Sequence, residues 1–541
     1  MNKYLKARLF LVVLIIATFF VCNAALPTDI MESRNLVTAQ EIANGGNWLV
    51  PTMNGELRLE KPPLPTWVAA AICKVAPDSL SAQRAAAGVM GIVWTLFLYL
   101  FARHLSHSRT YGFATIVVFL TCYHIVLMGR TATWDIYCHA FMMGAIYFLC
   151  RGLSGHSAHQ YRYFPAAGLF MGLSFLSKGP VSFYALLLPA VVAYCIFYPC
   201  SLRHKWGGFI MMILIALAVG SWWYIYLLLF EHDAVDAVIH KESGAWTGHN
   251  VRPWYYYWRF FTETGIWAVL MLAALFVPYW RKHIKENKLY TFSITFTLFV
   301  LVLLSLMPEK KIRYLLPIMA PSAMTIACLL LHVRQATDPT EKVTRYLFKG
   351  NGILVAVIVE AVGIAPIVMH WLPLGWAIVL AVAFTAVAVY IIYYSVKETR
   401  PMHFAYGVGA AFILIECFLL APIGRLFGNP QEHSIRATRH IAALQGVNFY
   451  HPLKEDKRIE LVFEAGRKIT PINLADSNDV KRHLPFALVS CKPVSQEIPA
   501  AVLQNVDTLR IDRYDDNKHP KTDRHYTPDF INYVTLIKSK K

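Results

Sequence analysis

The chain is poor in charge. Only 16% of its 541 residues are Asp, Glu, Lys or Arg, against about a quarter in a soluble domain. Acids are the scarcer sign, 33 against 51 Lys plus Arg, for a net charge of +18. An ordinary soluble globule is excluded. The ten cysteines are scattered, mostly in apolar stretches, with no C-x-x-C pair. That excludes a disulfide framework and a cysteine-rich metal ribbon. No Walker-type or G-x-G-x-x-G loop occurs, so a P-loop or dinucleotide site has no sequence basis. There is no internal repeat and no low-complexity tract.

What the chain has is apolar length. Runs of about 17–24 residues suffice to cross a hydrocarbon core of about 30 Å as helices. About thirteen are legible, near 8–25, 82–102, 111–128, 133–150, 163–177, 180–198, 207–230, 263–280, 290–307, 312–333, 352–370, 374–395 and 403–422. The run at 163–177 is short enough to tilt or re-enter. Lys3, Lys6 and Arg8 precede the first apolar stretch, and Ala24-Ala25 is a weak cleavage signal. The stretch is read as retained, because the residues after it carry chemistry.

An N-terminus on the inside makes every inside loop basic, from Arg103 and Arg109 to Lys397 and Arg400. The C-terminus then lies outside. Residues 1–422 read as a membrane domain with large outer loops at 26–81 and 231–262, and 423–541 as a small outer α/β domain. Strand-like runs there fall at 447–450, 459–463, 486–490 and 530–537. In the first loop, Met31 to Ala43 and Leu64 to Val75 read as amphipathic helices lying in the headgroup plane.

Several cations break the inside bias by sitting outside: Lys61, Arg130, Lys178, Lys241, Arg252, Lys310, Lys311 and Arg313. Cations at outer membrane ends call for phosphates or acidic headgroups. They do not suit nucleic acid, because they line no soluble face. Acids join them in the segments around Asp29 and Glu32, Glu60-Lys61-Pro62-Pro63, Arg130 to Asp135, Ser177-Lys178-Gly179-Pro180, and Pro308 to Pro317 with Tyr314. Each has a plainer reading. Asp29, Glu32 and Asp135 could cap helices; Lys178 could snorkel; Tyr314 could be a belt tyrosine; His240 could be a solvated histidine. Their gathering at one membrane face favours chemistry on a phosphate-linked donor dissolved in the lipid. Lys and Arg would stabilise the departing phosphate, and a carboxylate would orient or deprotonate an acceptor.

The segments Met31-Glu32-Ser33-Arg34, Gly46 to Gly55 and Glu60-Lys61-Pro62-Pro63-Leu64-Pro65-Thr66-Trp67, with the Ser-Lys-Gly turn and a Lys-x-x-x-Tyr-x-x-Pro segment, resemble the aminoarabinose transferases that modify lipid A. These are similar to the protein-O-mannosyltransferase-like branch of the C-type glycosyltransferases. The resemblance implies an all-α polytopic membrane protein of the C-type glycosyltransferase fold, with about thirteen spans and a small periplasmic α/β C-terminal domain. It would sit in the bacterial inner membrane, with its active site and C-terminus periplasmic.

The implied reaction moves a sugar, 4-amino-4-deoxy-L-arabinose, from undecaprenyl phosphate to lipid A. Protein O-glycosylation from a polyprenyl-phosphate sugar is the alternative, and a lipid-linked sugar transporter a more distant one. By the same resemblance a first-loop acid and Asp135 are catalytic, and Lys61, Arg252, Tyr314 and Lys178 hold the donor phosphate. Glu60 and His240 would touch a divalent metal, zinc. One departure matters. The family's Asp-Glu-x-Arg has Met31 in place of Asp, so Asp29 and Glu32 compete for that role, Asp29 being preferred.

Overall fold

The computed structural model describes residues 3–154, 161–233, 235–236, 238, 250–335, 342–426, 433–519 and 521–540. The chain divides into two compact units. One comprises residues 1–23, 60–65 and 84–420; the other comprises 24–59, 66–83 and 421–541. The first loop is therefore shared between them, and most of it groups with the C-terminal part.

The first unit is helical. Eight helices among the described residues are long and apolar enough to cross a membrane, from Leu80–Ser106 to Pro401–Leu426. The other apolar runs are shorter or broken. The run expected at 111–128 forms Arg109–Leu120 and Tyr123–Met128, parted at Thr121 and Cys122. The run at 263–280 is a chain of short turns, including Ala268–Ala274 and Val277–His283, interrupted where Gly265 takes φ +64° and where Pro278 enters a new helix. Apolarity alone could not reveal these breaks.

Trp206–Phe230 buries a narrow stripe, Gly208, Met212, Gly220, Trp223 and Leu227, and leaves Ile210, Leu214, Leu217 and Leu228 exposed. An apolar helix exposed over most of its circumference suits a lipid solvent. Its buried stripe meets Tyr163–Lys178 closely. A Cβ at Gly168 would stand 2.3 Å from the Met212 carbonyl oxygen, and one at Gly172 would stand 2.6 Å from Val219 Cβ. Small residues four apart let two helix backbones approach this way. The short run at 163–177 is thus a full helix, held between Trp206–Phe230 and Trp134–Leu153.

The second unit holds a five-stranded sheet. Its strands, numbered after a small hairpin of β1 (Thr52–Met53) and β2 (Glu56–Leu57), are β3 (Asn448–Pro452), β4 (Ile469–Ile472), β5 (Phe486–Ser490), β6 (Val506–Asp515) and β7 (Ile531–Ser539). The order is β4-β3-β5-β7-β6. β3 pairs in parallel with β4 and β5, while β7 pairs antiparallel with β5 and β6. Phe486, Leu488, Ile472, Val480, Ile498 and Ile537 fill one core.

The hairpin closes the β4 edge. Its turn places Asn54 and Gly55 at φ +54° and +86°, a geometry that Asn-Gly adopts readily. The Asn54 side chain then donates to the Ile469 carbonyl and accepts from the Ile469 N–H, both at 2.8 Å.

Two expectations fail here. The 459–463 run is a helix, Ile459–Ala465, closed by Gly466 at φ +70°. Its Leu-Val-Phe run reads as a strand, but its neighbour in the fold is the Ile30–Ala43 helix. That helix in turn is not a half-exposed amphipath: Glu32, Ser33, Asn35, Leu36, Val37, Thr38, Ala39, Glu41 and Ile42 are all buried. β4 and β6 escaped notice because β4 carries Pro471 and β6 is an exposed polar edge.

Candidate active site

The site is built on two antiparallel helices. Asp135 lies in the first turn of Trp134–Leu153, and Lys178 in the last turn of Tyr163–Lys178. The register is locked one turn deeper, where Ser174 Oγ donates to the Cys138 carbonyl at 2.8 Å. It is locked again where Ser182 Oγ meets His139 Nδ1 at 2.9 Å. Lys178 Nζ consequently donates to Asp135 Oδ1 in a buried ion pair. Beyond Lys178 the chain reverses at Gly179, φ +71°.

The third element is the segment before Met319–Gln335. Residues 250–252 and 308–310 form a short ladder: Val251 bridges Glu309, Arg252 N–H donates to the Pro308 carbonyl at 3.3 Å, and Lys310 N–H to the Asn250 carbonyl at 3.1 Å. The two lysines that follow part ways. Lys310 turns inward, 4% exposed, and its Nζ donates to the Met307 and Arg252 carbonyls. Burial lowers its pKa. Lys311 pairs with Glu309 at 2.6 Å. Buried Tyr257 fixes the Lys311 backbone, donating to its carbonyl at 3.0 Å and accepting from its N–H at 2.9 Å.

Tyr314 brings these parts together. Its ring lies 5.2 Å from Lys178 Nζ and 5.8 Å from Lys311 Nζ, within cation–π range. Its hydroxyl donates to Glu309 Oε2 at 3.4 Å. Arg313 acts electrostatically on both Asp135 and Tyr314. Two carboxylates are thus each paired with a lysine, Asp135 with Lys178 and Glu309 with Lys311, and Arg313 adds a third cation within electrostatic reach of Asp135. The excess is positive, and it is held in place by aromatic walls and by carboxylates that fix lysine rotamers. Such a site can receive a phosphate and stabilise charge that grows on it.

The structure thus brings together Asp135, Lys178 and Tyr314, with Arg252 joined to them through the backbone ladder. Arg252's own side chain is exposed. Glu60 and Lys61 are half-buried and fold with the membrane unit in the 60–65 segment. Asp29 and Glu32 fold with the other unit. Asp29 is the N-cap of Ile30–Ala43, and its Oδ1 accepts from the Met31 and Glu32 N–H groups at 2.8 Å each. Glu32 is fully buried. His240 lies outside the described residues, so the pairing of Glu60 and His240 around a metal gains no geometry here.

Arg130 is not an anion-seeking surface cation. It is 1% exposed, and its guanidinium donates to the Val21 carbonyl and, at 2.6 Å, to the Ala17 carbonyl. Glu416 lies 3.7 Å away, fully buried, and accepts from Thr18 Oγ1 at 3.4 Å. This clamp ties the turn ahead of Asp135 to the first helix. Glu416 and Tyr257 were missed from the sequence. A lone carboxylate inside an apolar run is itself a signal, and it passes unremarked when attention rests on the ends of the runs.

Comparisons with known proteins show what the chain is similar to. Residues 60–225 match the family model described as Dolichyl-phosphate-mannose-protein mannosyltransferase, PMT_2. The chain is 26% identical over 344 residues to the undecaprenyl phosphate-alpha-4-amino-4-deoxy-L-arabinose arabinosyl transferase of Shewanella sediminis, covering 58% of each chain. It is 25% identical over 348 residues to the enzyme of that name in Aeromonas hydrophila, covering 62% of each. The matched region therefore spans about three-fifths of these relatives' length.

The fold is similar to that of ArnT from Cupriavidus metallidurans, in a crystal structure bound to undecaprenyl phosphate. The TM-score is 0.69 at 15% identity, over 99% of this chain and 98% of that one. The apo structure of the same protein gives 0.66 at 14% identity. The resemblance read from the sequence motifs is borne out, and the chain has the fold of a multi-pass membrane protein.

Proposed function

We propose that this protein is an integral membrane glycosyltransferase that moves 4-amino-4-deoxy-L-arabinose from undecaprenyl phosphate to lipid A at the periplasmic face of the inner membrane. The observation that carries the reading is the buried Asp135–Lys178 pair set against Tyr314, Lys311 and Arg313. It is supported by the likeness over the whole chain to a protein crystallised with undecaprenyl phosphate. In this reading all thirteen apolar runs cross or enter the membrane, and residues 423–541 form the periplasmic domain.

The donor's sugar–phosphate C–O bond breaks as an acceptor oxygen attacks the sugar carbon. The departing undecaprenyl phosphate keeps the bonding pair. Lys178, Lys311 and Arg313 meet the added charge, with Lys61 and Arg252 on the same phosphate, and Tyr314 walls the site. Asp135 orients Lys178. The first-loop acid, Asp29 before Glu32, orients the acceptor. A lipid A phosphate is already anionic, so the transfer asks little of a base. A divalent metal at Glu60 and His240 belongs to the same proposal, and no step here depends on it.

A protein hydroxyl is the competing acceptor, favoured by the description of the matching family model. It would need a genuine general base. Mass spectrometry of lipid A and of periplasmic glycopeptides from a deletion strain decides between them. Loss of the aminoarabinose-modified lipid A supports the proposal. Intact lipid A modification with lost glycopeptides supports the competitor.

A further inference from the structure

The connection from β6 to β7, in the second unit, carries a second constellation. His519, Asp523 and His525 each offer one ligand atom, a ring nitrogen or a carboxylate oxygen, all within 4.8 Å of one another. Asp523 lies between the rings: its Oδ1 is 2.8 Å from His525 Nδ1 and its Oδ2 is 3.7 Å from His519 Nδ1. The imidazole centroids are 5.3 Å apart.

The base of this loop is fixed. Asn517, 1% exposed, donates to Asp515 Oδ1 at 2.8 Å and to the Thr527 carbonyl at 3.0 Å, and accepts from the Thr527 N–H at 2.9 Å. Tyr526 donates its hydroxyl to Asp515 Oδ2 at 2.7 Å. Residues 517 and 527 are thereby held together, and the histidines are presented from the two arms between them.

We propose that His519, Asp523 and His525 form a binding site for a divalent transition metal of the zinc class. Two imidazoles and one carboxylate are a borderline donor set, suited to Zn²⁺, Ni²⁺ or Cu²⁺. Ca²⁺ and Mg²⁺ call for about six or more oxygens; this loop offers one carboxylate and carries Lys521 and Arg524 beside it. Bonds of about 2.0–2.2 Å in a tetrahedron place ligand atoms about 3.4 Å apart. The half-exposed rings reach that spacing by small rotations, leaving a fourth position for water. As plain surface ion pairs the same contacts would contribute little, about 0–1 kcal/mol.

The site has a structural consequence. Lys518, next to His519, donates to the Thr28 carbonyl at 2.7 Å, and Thr28 precedes the Asp29 cap. A metal that clips the loop also steadies this tie to the first-loop acid.

The test is zinc uptake by the full-length protein, purified in detergent with a tag free of histidine. Equilibrium dialysis against Zn²⁺ at about pH 7.5 should give about one ion more per chain than the His519→Ala/His525→Ala variant. Hydrogen exchange over residues 516–527 should slow with Zn²⁺ in the native chain only. Equal uptake by the two proteins, or equal protection of the loop, would overturn the proposal. Both side chains are exposed, so the variant keeps its fold, and its Zn²⁺-free exchange pattern verifies this.

Discussion

Lys178 and Asp135 are 43 residues apart in sequence, yet they close the same end of two antiparallel helices and form one buried ion pair. The pair exists because Ser174 and Cys138 fix the helix register one turn below it. The Lys178 ammonium also lies 5.2 Å from the Tyr314 ring, and on that arrangement the proposed site rests.

Neutralising one partner should separate catalysis from folding. Asp135→Asn keeps the shape and removes the charge that orients Lys178. Turnover is expected to fall by about 10²-fold or more, while the protein remains membrane-inserted and monodisperse. Tyr314→Phe keeps the ring over both lysines and loses only the hydroxyl bond to Glu309, so a smaller loss is expected. Transfer assays on the purified variants check both. Native-like turnover in Asp135→Asn would remove the pair from the mechanism.

The role proposed for Asp29 can be separated from its capping of Ile30–Ala43. As an N-cap its removal costs about 1 kcal/mol, and Asn caps as well as Asp. Asp29→Asn should therefore keep the thermal stability of the native chain and lose transfer, whereas Asp29→Ala should lose both. Glu32→Gln is the paired comparison. An active Asp29→Asn beside an inactive Glu32→Gln assigns the role to Glu32; two active variants remove the carboxylate from the acceptor's side.

The Arg130–Glu416 clamp should respond asymmetrically. Glu416→Ala strands a buried guanidinium, and breaking a buried pair this way costs about 3–5 kcal/mol. The expected result is a marked drop in detergent melting temperature. Restoring a hydrogen-bonding side chain in Glu416→Gln should recover part of it. A melting temperature unchanged in both would mean that the carbonyls of Ala17 and Val21 suffice for Arg130.

Acid should loosen the C-terminal unit in two stages. Burial lowers the pKa of His451, so this part of the stability is complete above about pH 6.5, the unfolded value, and declines as pH falls toward the folded one. Asp515 feels a burial effect that would raise its pKa, outweighed by hydrogen bonds from Asn517 and Tyr526, which leave it lowered. Its contribution persists above about pH 3.9 and is lost as pH drops through the folded value. Pulse proteolysis of residues 433–540 in the full chain, across that range, should show declining protection from the first stage onward. Constant protection down to about pH 5 would contradict the His451 assignment.

Much of this was legible in the sequence, for identifiable reasons. Apolar length marked the membrane unit, and ionisable residues at the ends of apolar runs marked Asp135, Lys178 and Tyr314. The breaks near Thr121 and Gly265 were not legible, since apolar composition continues through them. The strand reading of 459–463 failed because a short Leu-Val-Phe run serves either period, and its helical neighbour decided the outcome. Tyr257 looked like one of several belt aromatics; only its two bonds to Lys311 distinguish it. Glu416 was hidden inside a span. Asp29's capping bonds depend on backbone geometry that sequence spacing suggests without distinguishing it from catalysis.

The most direct test of the account is reconstitution. Purified protein in proteoliposomes, given undecaprenyl phosphate-linked aminoarabinose and lipid A, should produce lipid A heavier by one aminoarabinose residue, and the Lys178→Ala variant should not. Unmodified lipid A in the presence of native protein and intact donor, or equal modification by Lys178→Ala, would contradict it.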